Sequence, residues 1–272
     1  MGRRLVRVDA LALAFVLVAA LRAGAAAAGA GAEPRIAIDP GHGGKQDGAV
    51  GPGGYKEKEF SLELAKKLAA VMEKAGAKVM LTRDQDATIP LPERVAAANR
   101  FRPDLLISLH ANSMPTRQMR ADNRGIETFF LSLSASGEEA RKTAERENGE
   151  TVGAVAGAAP ARPSADDPLG FILADLKRSD AHAGSSRLAY AVHQKLIAKT
   201  RAFDRGVQQA PLYVLGVECP AVLVELGFLS HPEEAARLKD PAYQDQLVEA
   251  LAEAAKAYLA DARRQEARAR RE

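Results

Sequence analysis

The sequence predicts a single α/β domain in which helices cover both faces of a mostly parallel sheet of about six strands. Short apolar runs alternate along the chain with longer amphipathic patterns, which is typical of repeated strand–helix units. The run at residues 105–109 is almost wholly apolar, as expected of a strand that is buried on both faces. Residues 31–272 provide enough chain for one large domain.

Each predicted element has its own signal. The first strand, residues 35–39, ends at Pro40, and a glycine-rich loop follows as far as Gly54. A helix is predicted from about Lys56, because apolar residues then recur at steps of three and four until Gly76. The other strands are predicted at 78–82, 105–109, 126–131, 212–215 and 221–226, and the other helices at 91–102, 186–200 and 241–262.

Residues 1–30 have the composition of a secretory signal peptide. Three arginines lie among the first seven residues, an apolar run of eleven residues extends from Leu11 to Leu21, and small residues follow. The run is too short for a transmembrane helix, which needs about 20 residues. We therefore expect export to the periplasm or the cell wall, with no transmembrane segment after cleavage. An N-terminal anchor that is not cleaved is the alternative.

The charge of the chain gives no indication of a nucleic-acid partner. The whole sequence carries +3, and residues 1–30 account for all of it with four arginines against one aspartate. Residues 31–272 are therefore neutral and lack the basic excess that binding to phosphate backbones requires. The basic tail at 261–272 is interpreted as a solvated helix end. The one cysteine, Cys219, cannot form an internal disulfide and is predicted to be a small core residue.

Two histidines stand where predicted strands end. His42 follows the first strand and lies between glycines, and His110 directly follows residues 105–109. Ligands of open α/β sheets bind outside the carboxyl ends of the strands, so we expect both imidazoles at one edge of the sheet. Imidazole is the commonest metal ligand, and two histidines with one carboxylate leave an open position on zinc. The pattern predicts a site for one zinc ion.

Glutamates are the candidates for the other positions of this site. Glu57 and Glu59 both lie at the start of the first helix, and their spacing does not decide which of them binds the metal. Glu225 lies within an apolar strand, where a carboxylate is costly unless it has a metal, a donor or a raised pKa. A base that activates water meets that requirement, and a paired structural glutamate is the alternative. The other histidines are interpreted as surface or capping residues: His182, His193 and His231.

These residues lie in motifs that resemble the zinc-dependent N-acetylmuramoyl-L-alanine amidases, the type 3 catalytic domain of bacterial cell-wall hydrolases. The similarity covers roughly residues 35–260. The matching segments include Ile-Asp-Pro-Gly-His-Gly-Gly from 38, Tyr-Lys-Glu-Lys-Glu from 55, Leu-Thr-Arg-Asp from 81, Leu-Pro-Glu-Arg from 91, Ile-Ser-Leu-His-Ala-Asn from 107 and Pro-Ala-Val-Leu-Val-Glu-Leu-Gly-Phe from 220.

The resemblance implies that His42, Glu57 and His110 bind one zinc ion and that Glu225 is catalytic; it thereby favours Glu57 over Glu59. It also implies hydrolysis of the amide between N-acetylmuramic acid and L-alanine in peptidoglycan, in wall remodelling or daughter-cell separation. The residues alone leave two other functions open. One is a zinc peptidase that cuts within the stem peptide, and the other is a wall-binding protein without catalysis.

The segment from 133 to 184 is longer than an ordinary connection inside a compact domain. Residues 138–150 are charged and could be helical, whereas the following stretch is rich in alanine, glycine and proline. The segment resembles a helical insertion that covers the zinc of family members active in cell division until an activator protein displaces it. One of Glu145, Glu147 or Glu150 would then cap the metal. A surface excursion with no regulatory role is the alternative.

Overall fold

Six strands form one sheet. They are β1 (Arg35–Pro40), β2 (Lys78–Leu81), β3 (Leu105–Asn112), β4 (Ile126–Leu131), β5 (Asp204–Ala210) and β6 (Ala221–Phe228). The computed structural model describes residues 33–149, 168–269 and 271. The strand order is β2-β1-β3-β6-β4-β5; β4 runs antiparallel to β6, and the other neighbouring strands are parallel. The predicted α/β architecture, with a mostly parallel sheet of six strands, is confirmed.

Helices cover both faces of this sheet. They are α1 (Glu57–Lys74), α2 (Leu91–Phe101), α3 (Arg117–Asp122), α4 (Glu138–Asn148), α5 (Pro168–Thr200), α6 (Pro232–Lys239) and α7 (Pro241–Ala269). Side chains alternate across each strand, so one strand supplies two cores. In β3, Leu105 and Ile107 face the core beneath α1, α5 and α7, whereas Leu106 faces the core beneath α2 and α4. By the same alternation, His110 and Glu225 lie on the second face, together with Leu106 and Leu223.

The predicted strand at 212–215 is wrong. Tyr213–Leu215 is a single turn of 3-10 helix, and the sixth strand is instead β5 at the edge of the sheet. The sequence of β5 has no apolar run, because an edge strand that is half-exposed does not need one. The apolar character of 212–215 has another cause, since Leu212, Val214 and Leu215 fill the core against α2.

The remaining sequence predictions concern the two termini and the segment between β4 and β5. The predicted signal peptide and residues 150–167 lie outside the described residues. The helical pattern at 138–150 is confirmed by α4, and the helix predicted at 186–200 begins earlier, at Pro168. The basic tail continues α7 and is exposed up to Arg268. In the part of the chain that the structure describes, no helix is both long enough and apolar enough to cross a membrane.

Candidate metal centre

Four potential ligand atoms meet at the carboxyl edge of the sheet. They belong to His42, Glu57, His110 and Glu147, and they all lie within 4.8 Å of one another. His42 follows β1, Glu57 begins α1, His110 lies near the end of β3, and Glu147 lies in the last turn of α4. The structure therefore brings the three predicted ligands together and adds a fourth. Glu59 is exposed and turned away, and its carboxylate accepts the backbone N–H of Lys56.

Four of the separations between ligand atoms of these residues are close to those around a tetrahedral zinc ion. Nε2 of His42 lies 3.1 Å from Oε2 of Glu57 and 3.3 Å from Oε2 of Glu147. Nδ1 of His110 lies 3.0 Å from Oε1 of Glu57 and 3.0 Å from Oε2 of Glu147. Ligand atoms about 2.0–2.1 Å from a tetrahedral zinc ion are about 3.3 Å from one another, so these four separations are compatible with zinc, and imidazole nitrogens and carboxylate oxygens are among its ordinary ligands.

Backbone amides fix the carboxylate of Glu57. Oε2 accepts the N–H of Ala49 at 2.8 Å, and Oε1 accepts the N–H of Ala111 at 3.0 Å. The chain approaches so closely at Gly48, where φ is +67°, that a Cβ there would lie 2.5 Å from Oε2 of Glu57. Burial by itself would raise the pKa of Glu57, but His42 and His110 outweigh it and lower the pKa to about 2. The carboxylate is thus held ionised and aimed at the cluster.

The loop that carries His42 is shaped around the second histidine. A Cβ at Gly41 would lie 2.5 Å from Cε1 of His110, so only glycine allows the backbone to pass this ring. His42 itself has φ of 59°, which is uncommon for a residue with a side chain, and its carbonyl accepts Nη2 of Arg94 at 2.5 Å. The backbone conformation that presents the imidazole is therefore maintained by neighbouring residues.

Two buried arginines support this loop. Arg83 donates to the carbonyl groups of Pro40 at 3.0 Å and Gly41 at 2.6 Å. Arg94 donates to the carbonyl of Pro40 at 2.7 Å and to Oδ1 of Asp39 at 3.1 Å. Neither arginine was predicted from the sequence to support the site. Both lie in the quoted motifs: Arg83 follows β2 in Leu-Thr-Arg-Asp, and Arg94 lies at the start of α2 in Leu-Pro-Glu-Arg.

Glu225 lies in β6 directly opposite His110 in the strand register, and it is fully buried. Oε1 accepts Nη2 of Arg146 at 2.9 Å, whereas Oε2 has no hydrogen-bond partner among the described residues. Burial raises the pKa of Glu225 to about 8, and the negative charges of Glu147 and Glu57 act in the same direction against Arg146. A carboxyl group whose pKa lies near neutrality can both accept and return a proton.

Helix α4 closes the site. Besides reaching Glu225, Arg146 donates through Nε to Oε1 of Glu147 at 2.8 Å. The cavity left beside His42 and His110 measures only 20 Å³, which is about the space of one water molecule. Of the three glutamates considered as caps, Glu147 is the one at the cluster: Glu145 is exposed and pairs with Arg141, and residue 150 lies outside the described range.

The other histidines are not part of the cluster. His182 is exposed, and His231 accepts the N–H of Glu234 at the start of α6, so the surface and capping predictions are confirmed for these two. For His193 the prediction is wrong. Its ring is buried between Oγ1 of Thr128 at 3.1 Å and Oδ1 of Asp204 at 2.8 Å, because it lies on the inner side of α5.

The chain is similar in sequence to proteins of one known family. The family model described as N-acetylmuramoyl-L-alanine amidase matches residues 36–257. The chain is 35% identical to the amidase AmiC of Escherichia coli O6:H1 over 83% of its own length and 53% of the relative's. It is 33% identical to AmiA of Escherichia coli K12, over 82% of the chain and 75% of that relative. It therefore spans only about half the length of the AmiC relative.

The fold comparison agrees with the sequence comparison. The structure is similar to the N-acetylmuramoyl-L-alanine amidase AmiC2 of Nostoc punctiforme, with a TM-score of 0.61 and 28% sequence identity. The match covers 83% of this chain and 97% of the AmiC2 chain. The matched region includes every residue of the four-membered cluster and Glu225, so the candidate centre lies within the part of the molecule that the family shares.

Proposed function

Because the chain belongs to the N-acetylmuramoyl-L-alanine amidase family, we propose that it hydrolyses the amide between N-acetylmuramic acid and L-alanine of peptidoglycan, with zinc as cofactor. The observation that carries the proposal is the convergence of His42, Glu57 and His110 next to Glu225. A binding protein on this fold has no need of a buried carboxyl group with a raised pKa beside potential metal ligands.

In this proposal His42, Glu57 and His110 hold the metal. Zinc would supply Lewis-acid chemistry, by polarising the scissile carbonyl and making water more acidic. The protein contributes the orientation of the ligands. The amides of Ala49 and Ala111 fix both oxygens of Glu57, so that carboxylate does not need to reorganise when it binds a cation.

Glu225 is the proposed proton carrier. Its carboxylate accepts a proton from the attacking water as the oxygen bonds to the carbonyl carbon. The same proton then passes from Glu225 to the amide nitrogen, which leaves as the free amine of L-alanine. Strand β6 holds the side chain opposite His110, so the base and the metal ligands share one face of the sheet.

The conformation described here is, in this proposal, an inhibited one. Glu147 occupies the metal cluster, and Arg146 pairs with the proposed base. Asn148 fastens the end of α4, because it donates to the carbonyl of Pro211 at 2.7 Å and accepts the N–H of Tyr213 at 2.9 Å. Water and substrate gain access to Glu225 only if α4 moves. An activator protein that acts on the 133–184 segment would supply that movement.

The primary experiment is digestion of purified peptidoglycan by residues 31–272, with chelator and then with added zinc, followed by mass analysis of the soluble products. We expect free stem peptides that begin with L-alanine, released at a low basal rate because α4 closes the site, lost with chelator and restored by zinc. Cuts inside the peptide would instead establish a peptidase. Glu225→Gln, purified in the same way, is the control: product formed equally by this variant would come from a contaminating hydrolase.

Inhibition by α4 is tested with two glutamates of the same helix. Glu147→Ala removes the carboxylate at the cluster, whereas Glu145→Ala removes an exposed one that pairs only with Arg141. We expect a basal hydrolysis rate at least several-fold higher for Glu147→Ala and an unchanged rate for Glu145→Ala. Equal rates for the two variants and the wild type would contradict inhibition.

Export is the third part of the proposal. Expression of the complete chain in a bacterium, followed by N-terminal analysis of the protein recovered from the periplasm or medium, should find a new terminus near residue 31. Recovery of the chain with its original N-terminus in a membrane fraction would support the uncleaved anchor.

A further inference from the structure

We propose that Glu139 of α4 stands in for a carboxylate of the substrate's peptide, and that Arg205 binds the substrate carboxylate once α4 has moved. The proposal rests on the proposed amidase function and on the movement of α4. Beyond that function, it assigns Arg205 as a specificity-determining residue and a peptide carboxylate as the group that it recognises.

Arg205 has two carboxylate partners, of which one, Glu127, lies outside α4 and the other, Glu139, would depart with it; Asn123 and the ring of Phe228 also contact the guanidinium from outside α4. On strand β5, its Nε donates to Glu127 of the adjacent strand, and its Nη2 donates to Oε2 of Glu139 at 2.6 Å. The side chain of Glu127 is only 7% exposed, whereas that of Glu139 is 68% exposed. When α4 leaves, the planar guanidinium stays fixed by Glu127, and the donors that faced Glu139 become available.

The site of Arg205 adjoins the proposed catalytic cleft and is separated from it by α4. Glu127 pairs with Glu225 in the register of β4 and β6, so Arg205 is anchored beside the strand that carries the base. A cavity of 560 Å³ extends along this side of α4, with Arg205 and Glu127 on one wall and Arg146 on the other. Because Arg146 also contacts Glu225, removal of α4 would join this cavity to the metal centre.

The walls that remain without α4 suit an anionic peptide. Their charged groups are Arg205, Arg120 and Glu127, which together leave one positive charge in excess. The guanidinium of Arg120 is held by the carbonyls of Met114 and Pro115 and has no carboxylate partner among the described residues. Methionine and proline side chains add apolar surface to the same wall. A peptide that carries carboxylates complements both properties.

The spacing on α4 indicates which part of the substrate is recognised. Glu139 and Glu147 are eight positions apart on one helix, which corresponds to about 12 Å between their Cα atoms. An extended peptide covers that distance in three to four residues. If Glu147 marks the position of the reacting amide, a carboxylate on one of the first few residues of the stem peptide reaches Arg205. The N-acetylated sugars of the proposed substrate have no free carboxylate to offer.

The test compares two soluble muropeptides that differ only in whether their peptide carboxylates are free or converted to amides. We measure kcat/KM for both with the wild type, Arg205→Met, Arg205→Lys and Glu139→Gln. The ratio of the two values does not depend on how often α4 is displaced, because that fraction cancels. We expect the wild type to prefer the free carboxylate roughly ten- to hundredfold, as for a charged hydrogen bond.

The variants separate the two roles of Arg205. Arg205→Met should reduce the preference to within about twofold, mainly through KM for the free-carboxylate substrate, while Arg205→Lys retains part of it. Glu139→Gln should keep the full preference and raise the rate on both substrates, because it weakens only the contact of α4. Thermal unfolding of each variant checks that it is folded. If Arg205→Met does not fold, Arg205→Lys and Glu139→Gln still decide the outcome.

Different results would contradict the two proposals. Equal cleavage of both substrates by the wild type, or an undiminished preference in the Arg205 variants, would overturn the Arg205 site and leave the amidase intact. No cleavage of either substrate, also by Glu147→Ala with zinc, would overturn the amidase function itself.

Discussion

Asp39 and Glu225 are both buried carboxylates on strands of the same sheet, yet their surroundings shift their pKa values in opposite directions. Asp39 is 1% exposed and accepts hydrogen bonds from Thr82, Ser108 and Arg94. Burial acts to raise the pKa of Asp39, but Arg94 and these donors outweigh it and lower the pKa. Glu225 is equally buried, but its pKa is raised to about 8. Equal burial therefore produces a fixed charge in one place and a group ready to exchange a proton in the other.

The origin of the donors explains the difference. The donors to Asp39 belong to the end of β2, to β3 and to α2, which form the permanent framework around the loop of His42. The one donor to Glu225 is Arg146 of α4, and the second oxygen of Glu225 has no donor among the described residues. The support of Asp39 belongs to the framework, whereas that of Glu225 belongs to α4; in the proposed mechanism, movement of α4 would free Glu225 to act as the base.

The largest effect is expected from Glu225→Gln. The amide cannot accept a proton from water, so kcat on peptidoglycan fragments should fall roughly 10²- to 10⁴-fold, with one zinc per chain still bound. Steady-state kinetics and metal analysis check both values. A variant with wild-type turnover would show that Glu225 resembles Asp39 in having a structural role.

Asp39→Asn should mainly lower stability. The substitution leaves the guanidinium of Arg94, which is 2% exposed, without its counter-charge. Breaking a buried pair in this way costs about 3–5 kcal/mol of the free energy of unfolding. Denaturant titration measures this loss. Glu225→Gln removes a carboxyl group whose charged form is disfavoured by burial, so it should unfold at the wild-type midpoint or above. A reversed order of the two variants would contradict the comparison.

The two carboxyl groups should also respond oppositely to pH in metal-free protein. The lowered pKa of Asp39 means that its contribution is present above about pH 4, the ordinary pKa of aspartate, and is lost as the pH falls through the lower folded value. The raised pKa of Glu225 means that its contribution is present below about pH 4.5 and is lost as the pH rises towards 8. The free energy of unfolding, measured against pH with chelator, should decline less between these values in Glu225→Gln. Parallel curves for this variant and the wild type would contradict the prediction.

The smallest effect is expected at Cys219, a buried group that lacks an ionic partner. Burial raises the pKa of its thiol to about 12, so it should react with a thiol reagent at pH 8 far more slowly than a free cysteine. Cys219→Ala should leave activity unchanged and lower stability by about 1 kcal/mol, the common cost of a small core truncation. Rapid labelling of the folded protein would show that the thiol is accessible.

The fold was largely predictable because most of its strands carry a local signal. Continuous apolar runs such as 105–109 can be recognised without knowing their neighbours. The edge strand β5 could not be, since half of its surface meets solvent and its sequence alternates too weakly. The burial of His193 could not be predicted for a related reason. Its polar partners, Thr128 and Asp204, lie on β4 and β5, and the periodicity of a helix does not reveal which strands it packs against.

The sequence by itself determined the candidates at the site. His42 and His110 follow apolar runs, Glu57 begins a helical pattern, and Glu225 interrupts an apolar strand. Only the tertiary structure decided what surrounds them. It selected Glu147 rather than Glu145, since successive helix residues point about 100° apart and the packing of α4 determines which of them faces inward. It also joined Arg146 to Glu225 across 79 positions, a contact that no local pattern contains.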